Sequence, residues 1–444
     1  MSTADAVIRC FGAQKQEIPQ LSTLMEMDAR VVYSTVAPPS KSASHRAMIC
    51  AALAQGTTRL ENFAYSQDML ATLRCVEALG AKVVRGEDWV TITGIDTPSP
   101  QARMDCGESG STLRFFVPIA AALGCKAVFT GQGKLPTRPI APLVEAMTPH
   151  GITFDYQGTM PFSLSGKLEG GIFEIAGDIS SQYVTGLLFA APLLTKDTVI
   201  RLTTPLTSRS YVDMTVQTMQ DFGITIIPTQ DGWQIPGNQH YRCQNRYPVE
   251  CDYSNAAFFL TAGAIGGRAV TVRGLRRCST QGDRAILELL SRFGASVTVE
   301  EDGTVFVAPR PLQAITIDAQ DIPDLVPILC VAACHAAGTT RITHVGRLRY
   351  KESDRLAAMA DCLTRLGGIV KVGEDEINIT GAPLHGGRVN GFNDHRIVMS
   401  MAIAALIASS PVEITGYTAV NKSYPNFFEI YQTFGGICNV LNLE

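Results

Sequence analysis

Residues 68–80 of the chain read DMLATLRCVEALG, an amphipathic helical pattern that a glycine closes before a β-rich stretch. The pattern of helix, bulky residue and glycine occurs six times, with a spacing of about seventy residues. At each position the glycine supplies the left-handed residue that a helix C-terminus requires before a strand begins. The closing glycines are Gly80, Gly151, Gly223, Gly294, Gly367 and Gly435.

A second series of helices alternates with the first. Its members carry apolar and small residues on all sides, which is typical of helices buried on every face. Strand-like segments rich in Val, Ile and Thr fill the gaps, so each repeat is predicted to be a β-α-β-α-β-β unit in an α/β protein. The polar starts of the second series lie near Ser40, Gly110, Ser181, Tyr253, Ile322 and Asn393.

Six repeats, at normal domain sizes, predict two similar domains of three repeats each. The domain boundary is expected in Gly237–Pro248, with a second crossing at Ala37-Pro38-Pro39. Domain 2 is therefore assigned to 39–251, and a discontinuous domain 1 to 27–38 plus 252–444. Two crossings between the domains permit hinge closure.

The composition describes an ordinary globular protein: 444 residues, 46% apolar and 18% charged, with a net charge of −4. It excludes a small stapled scaffold and disfavours disorder or a polybasic nucleic-acid surface. The twelve cysteines lie mostly in apolar runs without a CxxC pair, which indicates reduced thiols in the cytosol. Cys330, Cys334 and His335 resemble a metal cluster, but they lack an apparent fourth ligand, and a buried helix is the preferred interpretation.

Residues 1–26 are polar, carry no clear period and are expected to be an extension outside the fold. They precede the first strand-like run, Arg30–Val36. The N-terminus has no signal-peptide pattern, and the longest apolar run, Met399–Ala408, is too short to span a bilayer. A soluble, cytoplasmic protein without a membrane partner is expected.

Several helix starts carry cations. A helix N-terminus attracts anions through its unpaired N–H groups and its dipole, so Lys and Arg are unfavourable there unless an anion binds. Pro38–Arg46 opens the first buried helix with Lys41 and Arg46, and Gly107–Arg114 opens the second without a P-loop or dinucleotide pattern. Plain capping is the alternative for both segments and for Ser180-Ser181-Gln182 at the third. Because the placement recurs, a cleft for multiply anionic small molecules is predicted; the other cationic starts are 134–139, 208–211, 349–355, 393–396 and 421–425.

Two carboxylates stand among these cations. Asp324 is expected to start an apolar helix, and Glu352 lies between Lys351 and Arg355. In isolation, Asp324 could be a helix cap and Glu352 a salt-bridge partner. Beside an anion site, a pair of carboxylates is what paired proton transfers require, so acid–base chemistry on a phosphorylated substrate is predicted.

The chain resembles the 5-enolpyruvylshikimate-3-phosphate (EPSP) synthase family from about Val31 to its end. The motifs SKSxSxR, SGSTxR, LPTRP, SSQ, SRSY, IPD, KESDR, NDHR and NKSYP occur in order. The resemblance implies two domains with pseudo-threefold symmetry, an inside-out α/β barrel arrangement, which close over shikimate 3-phosphate and phosphoenolpyruvate. It also implies no metal or organic cofactor, and a monomer.

The family's site residues carry over by motif. Those implied for shikimate 3-phosphate are Lys41, Ser42, Arg46, Ser180, Ser181, Gln182, Ser208, Tyr211, Asp324 and Lys351. Those implied for phosphoenolpyruvate are Lys41, Gly110, Arg138, Gln182, Arg355, Arg396 and Lys422. Asp324 would deprotonate the 5-hydroxyl, Glu352 would protonate the methylene carbon, and Lys41 would offset charge between both ligands.

The chain departs from the family pattern at two positions. Many members of the family have Asn at the position of Glu108, and some have Asn at the position of Arg347. Neither residue is therefore assigned a ligand contact. Gly110 leaves room beside the phosphoenolpyruvate site, and inhibition by glyphosate is a hypothesis.

Two other functions remain open. The sister transferase that acts on UDP-N-acetylglucosamine would carry a Lys-Asn pair and a loop cysteine, whereas this chain has Lys41-Ser42 and no Cys in Gly131–Thr137. A non-catalytic anion-binding protein would not need both Asp324 and Glu352.

Overall fold

Six four-stranded sheets contain the strands of the described residues, 6–12 and 32–441, of the computed structural model. In chain order the strands are β1 (Val7–Gly12), β2 (Tyr33–Val36), β3 (Thr57–Glu61), β4 (Lys82–Arg85), β5 (Trp89–Thr93), β6 (Gln101–Asp105), β7 (Lys126–Thr130), β8 (Ile152–Asp155), β9 (Phe162–Gly166), β10 (Ile172–Ile175), β11 (Thr198–Leu202), β12 (Ile227–Thr229), β13 (Gly232–Ile235), β14 (Arg246–Pro248), β15 (Val270–Arg273), β16 (Ser296–Val299), β17 (Val305–Ala308), β18 (Thr316–Asp318), β19 (Thr339–Thr343), β20 (Ile369–Val372), β21 (Glu376–Thr380), β22 (Gly387–Asn390), β23 (Val412–Thr415) and β24 (Gly436–Leu441).

Twelve α-helices lie between the strands of the same described ranges. They are α1 (Lys41–Leu53), α2 (Gln67–Leu79), α3 (Gly110–Ala122), α4 (Ala141–Met147), α5 (Ser181–Ala190), α6 (Arg209–Asp221), α7 (Tyr253–Ile265), α8 (Ile286–Phe293), α9 (Val326–His335), α10 (Arg355–Arg365), α11 (His395–Ala405) and α12 (Phe427–Thr433). None of them has both the length and the apolar character that a membrane span requires.

The chain divides into two compact units, here called unit 1 and unit 2. Of the described residues, unit 2 takes Pro39–Glu250 and Thr280–Gly282, and unit 1 takes the rest. The sequence placed the two divisions at 38/39 and 251/252, and the units divide at 38/39 and 250/251. Each unit has its own apolar core.

The repeat predicted from the sequence is confirmed. The six closing glycines all have positive φ, from 76° at Gly435 to 114° at Gly80. The odd-numbered helices are the apolar series; α7, for example, is buried along its whole length, and α7, α9 and α11 pack on one another. Because the odd-numbered helices are buried within each unit, each unit is an inside-out α/β arrangement with three sheets of one strand order.

All six sheets share one strand order. A parallel pair is followed by two antiparallel strands, as in β10-β11-β13-β12. The other sheets of unit 2 are β14-β3-β5-β4 and β6-β7-β9-β8, and those of unit 1 are β2-β15-β17-β16, β18-β19-β21-β20 and β22-β23-β1-β24. Three sheets therefore take one strand from a distant part of the sequence.

The expectation that residues 1–26 lie outside the fold is wrong for Val7–Gly12. These residues form β1, an inner strand of its sheet, paired antiparallel with β23 and β24. Val7, Ile8 and Cys10 are buried, so this short apolar segment contributes to the core although the composition around it is polar. The strand predicted at Arg30–Val36 is observed as β2, and residues 13–31 lie outside the described residues.

Two local expectations also need correction. The helix predicted to start near Ile322 begins at Val326, because a turn containing Asp324 precedes it. At 134–139 the structure has a short 3-10 helix, Leu135–Thr137, and α4 starts only at Ala141. Cys330, Cys334 and His335 lie in α9, and no group of three or more His, Cys, Asp or Glu among the described residues could hold a metal ion.

Candidate active site

In unit 1, the guanidinium of Arg355 binds three carboxylates. Nη1 donates to Asp324 Oδ1 at 2.9 Å, Nη2 to Glu352 Oε2 at 2.7 Å, and Nε to Asp394 Oδ2 at 2.9 Å. The Arg355 side chain is 2% exposed, and Asp394 is fully buried. Burial favours the neutral form of Arg355, but Asp394, Glu352 and Asp324 outweigh it and raise its pKa. The two acid–base carboxylates predicted from sequence therefore share one buried cation.

The Arg355 cluster lies at the N-termini of α10 and α11. Asp394 caps α11 by accepting from the backbone N–H of Arg396 at 3.0 Å, and it also accepts from Ser353 Oγ at 3.0 Å. Asp354 caps α10 by accepting from the backbone N–H of Ala357 at 3.0 Å, which places Arg355 at the first helical position. The two caps hold Arg355 and Arg396 at neighbouring helix starts.

Asp324 is not a helix cap, because Leu325 occupies that position and makes no side-chain cap bond. Its Oδ2 instead accepts from Arg396 Nη2 at 2.9 Å, and its Oδ1 lies 3.9 Å from Lys351 Nζ. Burial raises the pKa of Asp324, but the charges of Arg396, Lys351 and Arg355 outweigh it and hold the pKa well below its usual range. Three cations thus face the three carboxylates Asp324, Glu352 and Asp394.

The lysines of this cluster are Lys351 and Lys422. Burial, opposed by Asp324 and assisted by Arg355 and Arg347, lowers the pKa of Lys351 to about 8. Lys422 is buried and donates from Nζ to the backbone oxygen of Asn393 at 2.6 Å, next to the Asp394 cap. All the unit 1 residues predicted for the site are therefore in or beside one network.

Asp394 was not predicted as a site residue, and its removal is expected to destabilise the protein strongly. Asp394→Asn leaves the buried Arg355 with one charge partner fewer, so the free energy of unfolding should fall by roughly 3–5 kcal/mol in denaturant titration. Asp361→Asn is the matched control, since it breaks the exposed Asp361–Arg365 pair on the same helix α10. Because this pair is exposed to solvent, Asp361→Asn should unfold at nearly the same denaturant concentration as the wild type.

The acid dependence of stability should change in the same variant. Burial raises the pKa of Asp394, but Arg355 outweighs it and the pKa lies below its ordinary value. The group therefore contributes stability above the ordinary carboxyl pKa of about 4, and this contribution is lost as pH falls through the lowered value. Asp394→Asn should lose less stability than the wild type on acidification; an unchanged acid slope would contradict the assignment.

In unit 2, the starts of α1 and α2 hold Lys41. Its Nζ lies 2.9 Å from Asp68 Oδ2 in the first turn of α2, and both side chains are largely buried. Ser40 caps α1 by accepting from the backbone N–H of Ala43 at 3.3 Å. The N-terminal dipole of α1 adds to the positive charge of Lys41.

Arg46 connects α1 to α6 from a buried position. Its Nη1 donates to Ser42 O at 2.7 Å, its Nη2 to Tyr211 O at 2.6 Å and its Nε to Thr215 Oγ1 at 2.9 Å. Ser208 lies at the N-cap position of α6 without a side-chain cap bond, and it is buried with a left-handed φ of 55°. The Arg46 guanidinium thus joins Ser42 and Tyr211, two residues predicted from the starts of α1 and α6.

Gly110 lies against Arg138. A Cβ at Gly110 would come within 2.6 Å of Arg138 Nη1, so only a residue without a side chain fits here while the guanidinium keeps its place. Gln182 is held by two neighbours: its Oε1 accepts from Arg114 Nη1 at 2.6 Å, and its Nε2 donates to Ser111 Oγ at 2.9 Å. Ser180 caps α5, and Ser181 is its buried first residue.

Sequence reasoning missed the partners that hold these groups. Arg114 and Asp68 stand inside stretches quoted for other residues, and Asp394 was noted only as part of a helix start. A capping Asp followed by a cation is a local signal that could have singled out Asp394. Nothing local indicates that Asp68 reaches Lys41.

Comparison with known proteins identifies the family of this chain. The sequence model of a family described as EPSP synthase (3-phosphoshikimate 1-carboxyvinyltransferase) matches residues 28–431. The chain belongs to the EPSP synthase family. Its relatives named 3-phosphoshikimate 1-carboxyvinyltransferase include a protein of Clostridium beijerinckii, 39% identical over 418 residues, which cover 91% of this chain and 96% of that protein. One of Clostridioides difficile is 39% identical over 421 residues with the same coverage.

Solved structures of the EPSP synthase family share the fold. The EPSP synthase of Acinetobacter baumannii superposes with a TM-score of 0.80 at 27% identity, covering 98% of this chain and all of that one. The enolpyruvyl transferase NikO of Streptomyces tendae gives a TM-score of 0.75 at 17% identity, which shows a common fold alone. The fold class expected from the repeat is confirmed. Members of the EPSP synthase family are enzymes, as the family's description states.

Proposed function

We propose that this chain transfers the enolpyruvyl group of phosphoenolpyruvate to the 5-hydroxyl of shikimate 3-phosphate. The products are 5-enolpyruvylshikimate 3-phosphate and inorganic phosphate, which places the reaction in the shikimate pathway to aromatic amino acids. The observation that carries the proposal is the Arg355 cluster, in which two carboxylates suited to proton transfer share cations suited to an anionic substrate. Family membership supports shikimate 3-phosphate over UDP-N-acetylglucosamine as the acceptor.

The chemistry needs an acid and a base. The enol of phosphoenolpyruvate is a poor electrophile until its CH₂ is protonated, and the acceptor hydroxyl is a poor nucleophile until its proton leaves. Glu352 gives a proton to the methylene carbon, Asp324 takes the hydroxyl proton, and the oxygen bonds to C2 in a tetrahedral intermediate. Loss of a methyl proton to Glu352 and expulsion of phosphate, which takes the proton held by Asp324, restore the double bond, the protonated Glu352 and the Asp324 carboxylate.

Substrate binding would also prepare the base. Asp324 is a weak base while its two oxygens accept from Arg355 and Arg396. A substrate carboxylate that binds these guanidinium groups competes with Asp324 for them, and a carboxylate that loses cation contacts becomes more basic. In this proposal phosphoenolpyruvate binding and base activation are coupled.

The ligand sets belong to the same proposal. Unit 2 would supply Lys41, Gly110, Arg138 and Gln182 to phosphoenolpyruvate, and unit 1 would supply Arg355, Arg396 and Lys422. Shikimate 3-phosphate would be held by Asp324 and Lys351 of unit 1 and, from unit 2, by Lys41, Ser42, Arg46, Ser180, Ser181, Gln182, Ser208 and Tyr211. Cations at helix starts support this, because they and the helix dipoles favour phosphate and carboxylate groups.

The test is direct. Purified protein mixed with phosphoenolpyruvate and shikimate 3-phosphate should release inorganic phosphate, and UDP-N-acetylglucosamine in place of shikimate 3-phosphate should give none. Release with the nucleotide sugar instead would favour the sister activity. No release with either acceptor would favour a binding protein.

The affinity for shikimate 3-phosphate should depend on pH through Lys351. Its pKa of about 8 means that the ammonium loses its proton as pH rises through this value, so an anionic ligand loses a cation partner. KM for shikimate 3-phosphate should rise above about pH 8 in steady-state assays. Lys351→Arg keeps its charge at these pH values, so it should flatten the rise; an equal rise in the variant would remove Lys351 from the explanation.

We further propose that the enzyme is a monomer that acts in the cytoplasm. All twelve cysteines are free thiols, which fits a reducing compartment. Size-exclusion chromatography with light scattering tests the oligomeric state.

A further inference from the structure

A buried chain of hydroxyl groups joins the first three helices of unit 2. His45 Nδ1 of α1 lies 2.8 Å from Thr72 Oγ1 of α2, which lies 2.7 Å from Thr112 Oγ1 of α3. Thr112 Oγ1 donates to Ser109 Oγ at 2.8 Å, and the backbone N–H of Thr112 donates to the same oxygen at 3.2 Å. All four residues are at most 1% exposed. This chain of hydrogen bonds ends at Ser109, the cap of α3.

The direction of the chain follows from the number of hydrogens. Thr112 has one hydroxyl hydrogen and gives it to Ser109, so Thr72 must donate to Thr112. Thr72 then has no hydrogen left for His45, and the Nδ1–H of His45 must be the donor. His45 therefore carries a hydrogen on Nδ1. Its buried Nε2 has no hydrogen-bond partner within the described residues, which fits the neutral Nδ1–H tautomer.

The surroundings of His45 favour the same state. Burial first, and then the nearby charges of Lys41 and Arg46, lower the pKa of His45 well below its ordinary value. A neutral imidazole can act as a fixed donor at Nδ1 across the working pH range. Phe115 packs edge-on against the ring, with centroids 6.2 Å apart, and restricts its rotation.

The far end of the chain is next to the proposed substrate groups. Ser109 precedes Gly110, whose backbone faces the Arg138 guanidinium so closely that a Cβ would come within 2.6 Å of Nη1. A small shift of the Ser109 cap would move the first turn of α3 against Arg138.

We infer that His45 is a positioning residue for phosphoenolpyruvate: through Thr72 and Thr112 it holds the Ser109 cap, and so sets Gly110 against Arg138. The inference rests on the proposed function, which assigns Gly110 and Arg138 to that substrate. His45 acts through other residues and does not itself touch the reacting atoms.

Variants that break the chain at two points test the inference. His45→Leu removes the first donor, and Thr72→Val removes the middle hydroxyl without changing the shape of the side chain. Both should raise KM for phosphoenolpyruvate roughly tenfold and leave KM for shikimate 3-phosphate within about twofold. His45→Asn retains an N–H donor beside Cγ and should stay within about threefold of the wild type for both substrates.

The matched control is Thr198→Val in β11 of the same unit. Thr198 is a buried threonine whose hydroxyl has no hydrogen-bond partner within the described residues, so its loss should leave both KM values unchanged. Equal increases in both KM values, or an effect of His45→Leu without one of Thr72→Val, would overturn the inference, because they indicate loss of packing alone.

A second measurement needs no substrate. In ¹⁵N-histidine NMR, the resonances that His45→Asn removes should be those of a neutral Nδ1–H tautomer that stays unprotonated through the neutral pH range. An Nε2–H tautomer would overturn the direction of the chain and with it the inference. The two proposals fail differently. A wild-type protein that releases no phosphate contradicts the proposed function. An active wild type whose His45 and Thr72 variants do not raise KM for phosphoenolpyruvate more than KM for shikimate 3-phosphate contradicts only the role of His45.

Discussion

Glu352→Gln is expected to lower kcat by about 10²–10⁴-fold, because the amide cannot give a proton to the methylene carbon of phosphoenolpyruvate. The substitution keeps an oxygen that can accept from Arg355 Nη2, so the geometry of the cluster should change little. Binding is therefore expected to survive while turnover is lost, and KM for both substrates should stay within a few-fold of the wild type. Phosphate release under saturating substrates measures the effect.

A control separates chemistry from folding in this experiment. Glu376→Gln makes the same exchange at an ion pair with Arg341 elsewhere in unit 1, and its kcat should be unchanged. Thermal unfolding of Glu352→Gln should show a cooperative transition, since Asp324 and Asp394 still accompany Arg355. A variant that is folded and turns over near the wild-type rate would remove Glu352 from the role of acid.

Lys41→Met is expected to lower kcat by about 10²–10³-fold, the size of effect seen when one preorganised electrostatic group is removed from a reacting centre. Methionine retains the apolar length of the side chain but loses the charge that, in the proposal, offsets developing negative charge on both substrates. Because Lys41 would touch both ligands, KM for each should also rise. Lys41→Arg should recover part of the binding, since it keeps the charge with a different shape.

The partner of Lys41 provides the control. Removing the lysine leaves Asp68, whose side chain is 12% exposed, without this ion pair, which by itself could destabilise α1 and α2. Lys41→Met combined with Asp68→Asn removes both charges and should recover stability but not turnover. Recovery of kcat in the double variant would show that Lys41 acts on the fold rather than on the substrates.

The parts of the fold that came from sequence depend on local periodicity. The six glycines at helix ends were identified because a left-handed residue commonly ends a helix before a strand, and all six have positive φ. The buried helix series was identified because apolar residues on every side leave no surface for solvent. Each of these two signals can be recognised within a short window of the sequence.

The pairing of strands from distant segments of the sequence had no such local signal. β1, β2 and β14 each complete a sheet whose other strands lie elsewhere in the sequence, and a strand carries no local mark of its partner. The hexapeptide VIRCFG lies in a polar stretch, and for this reason it was assigned to an extension outside the fold.

Most residues of the candidate site could be predicted from sequence, but most of their contacts could not. Motifs in the sequence identified Asp324, Glu352 and Arg355 as residues of acid–base and anion chemistry, because residue type and spacing at helix starts are local properties. Only the tertiary structure decided that Arg355 lies between Asp324, Glu352 and Asp394, and that His45 reaches Ser109 through two threonines. Except for Arg355–Glu352 and Thr112–Ser109, which lie three positions apart, these contacts join residues 27 to 40 positions apart. Side chains so far apart are brought together by packing of the helices, which no local pattern specifies.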